Sequence, residues 1–253
     1  MGAELGSVLA LAAIAVVVGF FIGSVGVGGV LLIPALALLG AMDIHRASAT
    51  ALFTFLFTGL LGTWLFYRRG SIDWRVTVPV CVGSVVFSYL GALVSARIAP
   101  RPLALIIAGI IVFAGAYVLL PSRRAEGAYR TGRGASQQAL LALIGAAAGF
   151  GSGLSGAGGA LFSVPLMMAL GFAPLAAIGT SQVLQIIVAT SGTAGNLQFG
   201  SVDFATAAWV SVLSLAGVAM GTRAAHAVPV TVLRRTAAGL CIVVGVFMLA
   251  RNL

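Results

Sequence analysis

Glycine, rather than any acid, base or nucleophile, carries the most chemical promise in this sequence. Two clusters, Gly23-Ser24-Val25-Gly26-Val27-Gly28-Gly29 and Gly151-Ser152-Gly153-Leu154-Ser155-Gly156-Ala157-Gly158-Gly159, each interrupt an otherwise apolar run. Without a Cβ the backbone can unwind, approach a ligand and leave amide N–H groups free. A half-helix starting at about Gly29 or Gly159 would aim its positive dipole end at the same place. Such a place suits an anion without a buried Lys or Arg. The competing explanation is close helix packing through small residues. Packing motifs, however, require neither the adjacent glycine pairs nor the prolines that follow, Pro34 and Pro165.

A second polar group follows each cluster: Ser48 and Thr50 in the first half; Thr180, Ser181, Gln182 and Gln185 in the second, with Asn196 and Gln198 further on. Unpaired amides are costly in hydrocarbon, so these glutamines and Asn196 should face a polar interior, lining a pathway or bridging helices. All the acids, Glu4, Asp43, Asp73, Glu126 and Asp203, fall at segment ends or in loops. Asp73 and Asp203 each follow Gly-Ser, as interfacial caps or turn formers do. Proton relays normally use a carboxylate or His within a span; His45 and His226 also sit near segment ends, each close to an arginine.

These residues need elements that hold them, and composition states which. Hydrophobic residues make up 60% of the chain and charged ones 8%, with a mean hydropathy of +1.15. A soluble domain carries about a quarter charged residues. Apolar runs recur at 5–22, 29–42, 47–67, 76–96, 102–120, 139–150, 160–178, 183–197, 204–222 and 236–250. Several reach the ~20 residues that cross a bilayer as helix, and none alternates as a membrane barrel strand would. The expected fold is therefore an all-α, polytopic integral membrane protein with broken Gly-rich segments. The net charge of +9 comes from arginines placed singly or in pairs at segment ends, which points to topology and lipid headgroups, not nucleic acid. Cys81 and Cys241 each lie inside an apolar run, where packing is the simplest role; no metal or other cofactor is expected. Residues 5–22 lack a basic flank and read as a retained helix rather than a signal peptide.

The sequence also repeats. Shifted by 130 residues, Gly19-Phe20 meets Gly149-Phe150, Gly26, Gly28 and Gly29 meet Gly156, Gly158 and Gly159, and Gly62-Thr63 meets Gly192-Thr193. Gly70-Ser71-Ile72-Asp73-Trp74 meets Gly200-Ser201-Val202-Asp203-Phe204, and Gly91 meets Gly221. A local slip to 131 pairs Pro34 with Pro165 and Gly40 with Gly171. The chain thus divides into a first membrane repeat (1–120), a polar cytoplasmic linker (121–138) and a second membrane repeat (139–253). Arginine placement sets the expected orientation, because cytoplasmic loops are Arg-rich. With five crossings per unit, the linker and loops 68–75 and 223–235 hold ten arginines on one side, against four on the other. That split favours two inverted repeats of about five segments each, with both termini outside; re-entrant Gly-Pro segments would reduce ten crossings to eight.

The order Gly-x-Gly-Gly, apolar half-segment, Pro, then Gly-Ser-x-Asp, duplicated across nearly the whole chain, resembles the sulfite exporter TauE/SafE family of bacterial permeases. The likeness rests on Gly26, Gly28, Gly29 and Pro34, and on Gly156, Gly158, Gly159 and Pro165. In the second unit Ile-Gly-Thr-Ser (178–181) is closer to the family pattern than Ala-Ser-Ala-Thr (47–50) in the first. The resemblance implies a multi-pass protein of the bacterial inner membrane that exports small organic or sulfur-containing anions, such as sulfite, sulfoacetate or related sulfonates. Its partners would be that anion and the bilayer, and assembly as a homo-oligomer is compatible with it. With no carboxylate in a span, the membrane potential is the expected driving force. The expected site joins Ser24, Gly26, Gly28, Gly29 and Thr50 to Ser155, Gly156, Gly158, Gly159, Thr180, Ser181, Gln182, Gln185 and Asn196.

Two other readings compete. A passive anion channel would also lack a coupling carboxylate. Gly153-Leu154-Ser155-Gly156 fits the nucleophile pattern of intramembrane serine proteases, with His226 as the conceivable base. Such a dyad must lie within hydrogen-bond reach. His226, however, belongs near the membrane surface and Ser155 at mid-depth, so a non-enzymatic role is expected.

Overall fold

The computed structural model describes residues 2–26, 28–119, 135–197 and 202–252. Most of the linker, Gln198, and the Gly200-Ser201 of the second repeat motif lie outside the described residues. Among the described residues there is no strand. The helices are α1 (Gly2–Val25), a 3-10 turn (Gly29–Leu31) leading into α2 (Leu32–Leu39), α3 (Ile44–Arg68), α4 (Trp74–Arg97), α5 (Pro100–Leu119), α6 (Ala135–Ser155), α7 (Ala160–Ala169), α8 (Pro174–Leu197), α9 (Phe204–Ala227) and α10 (Val230–Asn252). The second five repeat the order of the first five, and α6 already begins inside the stretch read as linker.

Six of these helices are long and apolar enough to cross a bilayer: Gly6–Val25 within α1, and α3, α4, α6, α8 and α9, with mean hydropathy from 1.3 to 2.7. At 1.5 Å per residue, α2 and α7 cover only ~12–15 Å of a ~30 Å hydrocarbon core. Side-chain placement is that of a protein dissolved in lipid. Leu9, Val82, Val86, Leu143, Val212 and Val243 point outward, whereas Thr54, Thr58, Ser84, Ser88, Gln182 and Ser214 are fully buried. In water this distribution would be reversed.

Helix ends follow local chemistry. The carboxylate of Asp43 accepts hydrogen bonds from the amides of His45 (2.9 Å) and Arg46 (3.1 Å) at the start of α3. Asp73 accepts from Arg75 N (3.0 Å) and Asp203 from Thr206 N (3.1 Å), capping α4 and α9. Each satisfies loose amides and places negative charge at the positive end of the helix dipole. Asp73 and Asp203 are thus the caps that the repeat motif predicts. After α3, Gly70 takes φ +66°; its N–H bonds Tyr67 O and that of Ser71 bonds Phe66 O. Gly171, at φ +92°, closes α7 with the same pair of bonds. This left-handed stop is one that only glycine adopts without strain.

Packing exchanges partners between the units: α4 lies along α6, α1 along α9, α5 along α10, and α3 crosses α8. Glycines permit two of these contacts. A Cβ on Gly145 would strike Val80 O, one on Gly149 would stand 2.7 Å from Ser84 O, and one on Gly153 would strike Ser88 O. In the corresponding pair Gly19 and Gly23 of α1 press on Ser214 and Val218 of α9. Residue numbers rise together in both pairs, so α6 runs parallel to α4 and α1 parallel to α9. Across α3 and α8 they run oppositely: Leu52 meets Gly192, and Gly62 meets Gln182. With no hydrophobic effect between helices in lipid, such close backbone approach is a main source of association.

Valine at Gly91 or at its repeat partner Gly221 would drive a side chain into a neighbouring backbone: a Cβ would lie 2.8 Å from Leu154 N in the first case and 2.8 Å from the carbonyl carbon of Phe20 in the second. Each substitution should cost ~1–3 kcal/mol by overpacking and lower the thermal midpoint of the detergent-solubilised protein. Unchanged midpoints in both variants would show that these glycines are not the contact that joins the units.

Candidate functional site

The two glycine clusters break the helices where the sequence suggests. Gly26 ends α1 at φ +80°, with its N–H bonded to Ile22 O and Phe21 O, both at 3.1 Å. Gly156 ends α6 at φ +71°, with its N–H 2.7 Å from Ser152 O. These two amides are therefore used in closing helices. The chain then turns back, and Gly28, Gly29, Gly158 and Gly159 stand at the head of the returning segments, where first-turn amides have no partner within the helix. The matching positions differ in one respect: Gly158 has φ +81°, whereas Gly28 is right-handed at φ −78°.

The breaks meet each other and the middles of α3 and α8. A Cβ built on Gly29 would lie 2.8 Å from Ala157 O and 2.9 Å from the Phe55 ring. One on Gly26 would lie 3.0 Å from Ser181 Oγ, and one on Gly156 2.7 Å from Ser48. A Cβ on Gly158 would lie 3.3 Å from the Phe55 ring and 3.6 Å from Gln185 Oε1. Gln185 Nε2 donates to Thr58 Oγ1 (2.8 Å) and Phe55 O (3.2 Å), tying α8 to α3 at mid-length. Gln182 Nε2 donates to Ile22 O (2.9 Å) in the last turns of α1, while its Oε1 lies against Gly62. Fully buried Gln182 Oε1, Ser24 Oγ and Ser152 Oγ, together with Ser48 Oγ, have no hydrogen-bond partner in the structure. Buried polar groups left this way are uncommon, and a water or a ligand is one way to satisfy them.

Gly26, Gly29, Gly156, Gly158, Ser181, Gln182 and Gln185 are thus gathered in one buried region, with Ser24 in the last turn of α1 beside it. Others are engaged elsewhere. Gly28 backs onto Val18 and Ile22 of α1, and Gly159 onto Leu184 and Val188 of α8. Thr180 Oγ1 shares a hydrogen bond with Thr77 Oγ1 (2.9 Å), joining α8 to α4. Thr50 Oγ1 takes the N–H of Asp203 (3.0 Å) at one end of the bundle. Asn196 stands ~16 Å along α8 from Gln185, by helix rise. Ser155 Oγ donates to Gly151 O (2.7 Å) and accepts from Ala157 N (3.3 Å), which makes it a helix stop. His226 instead contacts Ser71 Oγ (3.2 Å) and Thr222 O (2.8 Å) at the α3–α4 turn, so these two residues form no protease dyad.

Phe55 and Leu52 are the central residues that motif reading passes over. A signal existed: the 130-residue shift places Leu52 on Gln182 and Phe55 on Gln185.

The two ends of the bundle are unlike. At one, Arg46 Nη2 pairs with Asp203 Oδ2 at 2.8 Å. At the other, Ala176 holds the position equivalent to Arg46, and beside Asp73 there is a recess of about 580 Å³, lined also by Ser71, Arg75 and Leu175.

Comparison with known proteins agrees with this architecture. The family model described as Sulfite exporter TauE/SafE matches residues 11–248. The chain is 29% identical to the probable membrane transporter protein YdhB of Bacillus subtilis, over 85% of this chain and 89% of that one. It is 27% identical to the probable membrane transporter protein YunE of the same organism, over 80% and 82%. The probable membrane transporter protein MJ0441 of Methanocaldococcus jannaschii is 23% identical, over 78% and 80%. No solved structure matches the chain. A duplicated set of apolar helices, two paired glycine breaks and a family match over nearly the full length lead to one conclusion: the chain belongs to the sulfite exporter TauE/SafE family of membrane transporters.

Proposed function

We propose that the protein is a permease of the bacterial inner membrane that exports small organic or sulfur-containing anions, such as sulfite, sulfoacetate or related sulfonates. The observation that carries this reading is the meeting of two broken segments in the buried centre. Irregular backbone at that depth is tolerated only where protein or a watery cavity receives it. Paired discontinuous helices in two repeats mark the substrate site of transporters. Neutral donors there, namely the heading amides of α2 and α7 and the hydroxyl of Ser24, hold an anion without the tight grip of a buried arginine. A permanently open channel fits less well, because the Phe55 ring fills the space between Gly29 and Gly158.

The antiparallel crossing of α3 and α8, with the parallel pairs α1/α9 and α4/α6, supports two units inverted about an axis in the membrane plane. On this arrangement the turn at Ile72 and the start of α9 at Val202 lie on opposite faces, the first cytoplasmic. In protein whose cysteines have been replaced by alanine, Ile72→Cys and Val202→Cys should react with an impermeant thiol reagent from opposite sides of the membrane. Labelling from one side alone would overturn the inversion.

The potential can supply the energy. Moving a charge through 100 mV is worth ~2.3 kcal/mol, so a dianion leaving a negative interior gains ~4.6 kcal/mol. Asp73 and Asp203 are used as helix caps. In proteoliposomes, Asp73→Asn/Asp203→Asn protein that remains folded should still export sulfite faster as the interior is made more negative. A strict requirement for a pH gradient, or complete loss of flux in the folded variant, would exclude potential-driven export.

A further inference from the structure

The centre of the molecule is chemically two-faced, although it is built from one motif used twice. Equivalent slots can be identified physically. Gly62 of α3 receives the side chain of Gln182, and Gly192 of α8, its repeat partner, receives that of Leu52, whose Cδ2 would lie 2.5 Å from a Cβ there. Leu52 and Gln182 therefore occupy corresponding positions, one in each unit. Phe55 and Gln185 correspond in the same way and stand together beside Gly158, at 3.3 Å and 3.6 Å from its built Cβ. One unit contributes hydrocarbon at both places, and the other contributes amide at both. Leu52, Phe55 and Gln182 are fully buried and Gln185 is 2% exposed, so bulk water does not blur the contrast.

The two faces also differ in their hydrogen bonds. The Gln182 amide is oriented by its bond to Ile22 O and leaves an acceptor, Oε1, unanswered, whereas the unpartnered Ser24 hydroxyl is a free donor. On the other face the Phe55 ring offers neither donor nor acceptor, and its π-cloud is electronegative. An inorganic oxyanion needs donors on every side. Against Phe55 and Leu52 some of its oxygens would lose water and gain nothing, a heavy penalty at low dielectric. An anion with a carbon skeleton can place its methylenes on that face and its charged group near the amides of Gly29 and Gly158.

We propose that Leu52 and Phe55 are specificity-determining residues that make the site selective for organic anions, sulfonates or carboxylates with a short carbon chain, over bare oxyanions such as sulfite. The inference rests on the central anion site proposed above. The test is a thermal-shift titration in detergent with ethanesulfonate and sulfite, on wild-type protein and on Leu52→Gln/Phe55→Gln, which gives the first unit the residues of the second. Wild-type protein should bind ethanesulfonate at least tenfold more tightly than sulfite, and the double variant should reduce that ratio at least tenfold. Should the double variant fail to elute as a folded monodisperse species, Leu52→Gln alone should reduce the ratio at least threefold. Phe55→Leu, which keeps a carbon face, should leave the ratio within twofold. A wild-type preference for sulfite, or a ratio unchanged in a folded glutamine variant, overturns the inference and leaves the anion site standing. No protection of the wild type by either anion overturns both.

Discussion

A helix crossing hydrocarbon may be interrupted only where something other than lipid receives its loose backbone groups, and the architecture follows from meeting that demand twice. Breaks at Gly26 and Gly156 leave two helices ending inside the molecule. Each stop is sealed by its own backbone, through Gly26 N to Ile22 O and Gly156 N to Ser152 O. The returning segments are then walled in by the long helices α3 and α8. Those two helices can enclose the breaks only because the outer pairs, α1 with α9 and α4 with α6, close up through glycines that admit a neighbouring backbone. A side chain at Gly145 or Gly19 would push the walls apart and expose the interrupted segments.

The exterior needs little beyond bulk and apolarity, which is why its residues look unremarkable in sequence. The interior holds much of the polar chemistry, including hydroxyls bonded back to their own helices. Thr54 Oγ1 to Thr50 O, Ser84 Oγ to Cys81 O and Ser211 Oγ to Ala207 O are examples. Such bonds satisfy a hydroxyl locally and leave it available if a neighbour moves. Gln182 and Gln185 instead reach across to other helices, and they tie the second unit to α1 and α3.

Much of this was legible in the chain. The breaks showed as Gly-Gly and Pro inside apolar runs, because glycine lets a chain leave a helix and bring its backbone close to its neighbours. The caps Asp73 and Asp203 showed because a carboxylate after Gly-Ser has few other uses. The duplication showed because it keeps its glycines in order. The helix that each unit lends to the other did not show: Gly19 and Gly145 announce a close contact without naming the partner. Nor did the use of Thr180 on Thr77 and of Thr50 on Asp203. A hydroxyl's partner depends on helix azimuth and neighbour, and neither is local information. Phe55 stayed hidden for a different reason. An aromatic residue in an apolar run carries no signal until its counterpart in the other half is seen to be an amide.

In a molecule built of two copies, any contact without a counterpart acts as a bias. If the units exchange roles as substrate passes, identical copies would leave the two arrangements equal in energy, and neither face would be preferred at rest. The Arg46–Asp203 pair breaks that degeneracy, because the other unit offers Ala176 in place of the arginine. With Arg46 52% and Asp203 18% exposed, the pair is worth at most about 1 kcal/mol, a population ratio of roughly five to one. A tilt of that size would decide which side an idle protein presents, yet it is smaller than the ~2.3 kcal/mol that one elementary charge gains in crossing 100 mV.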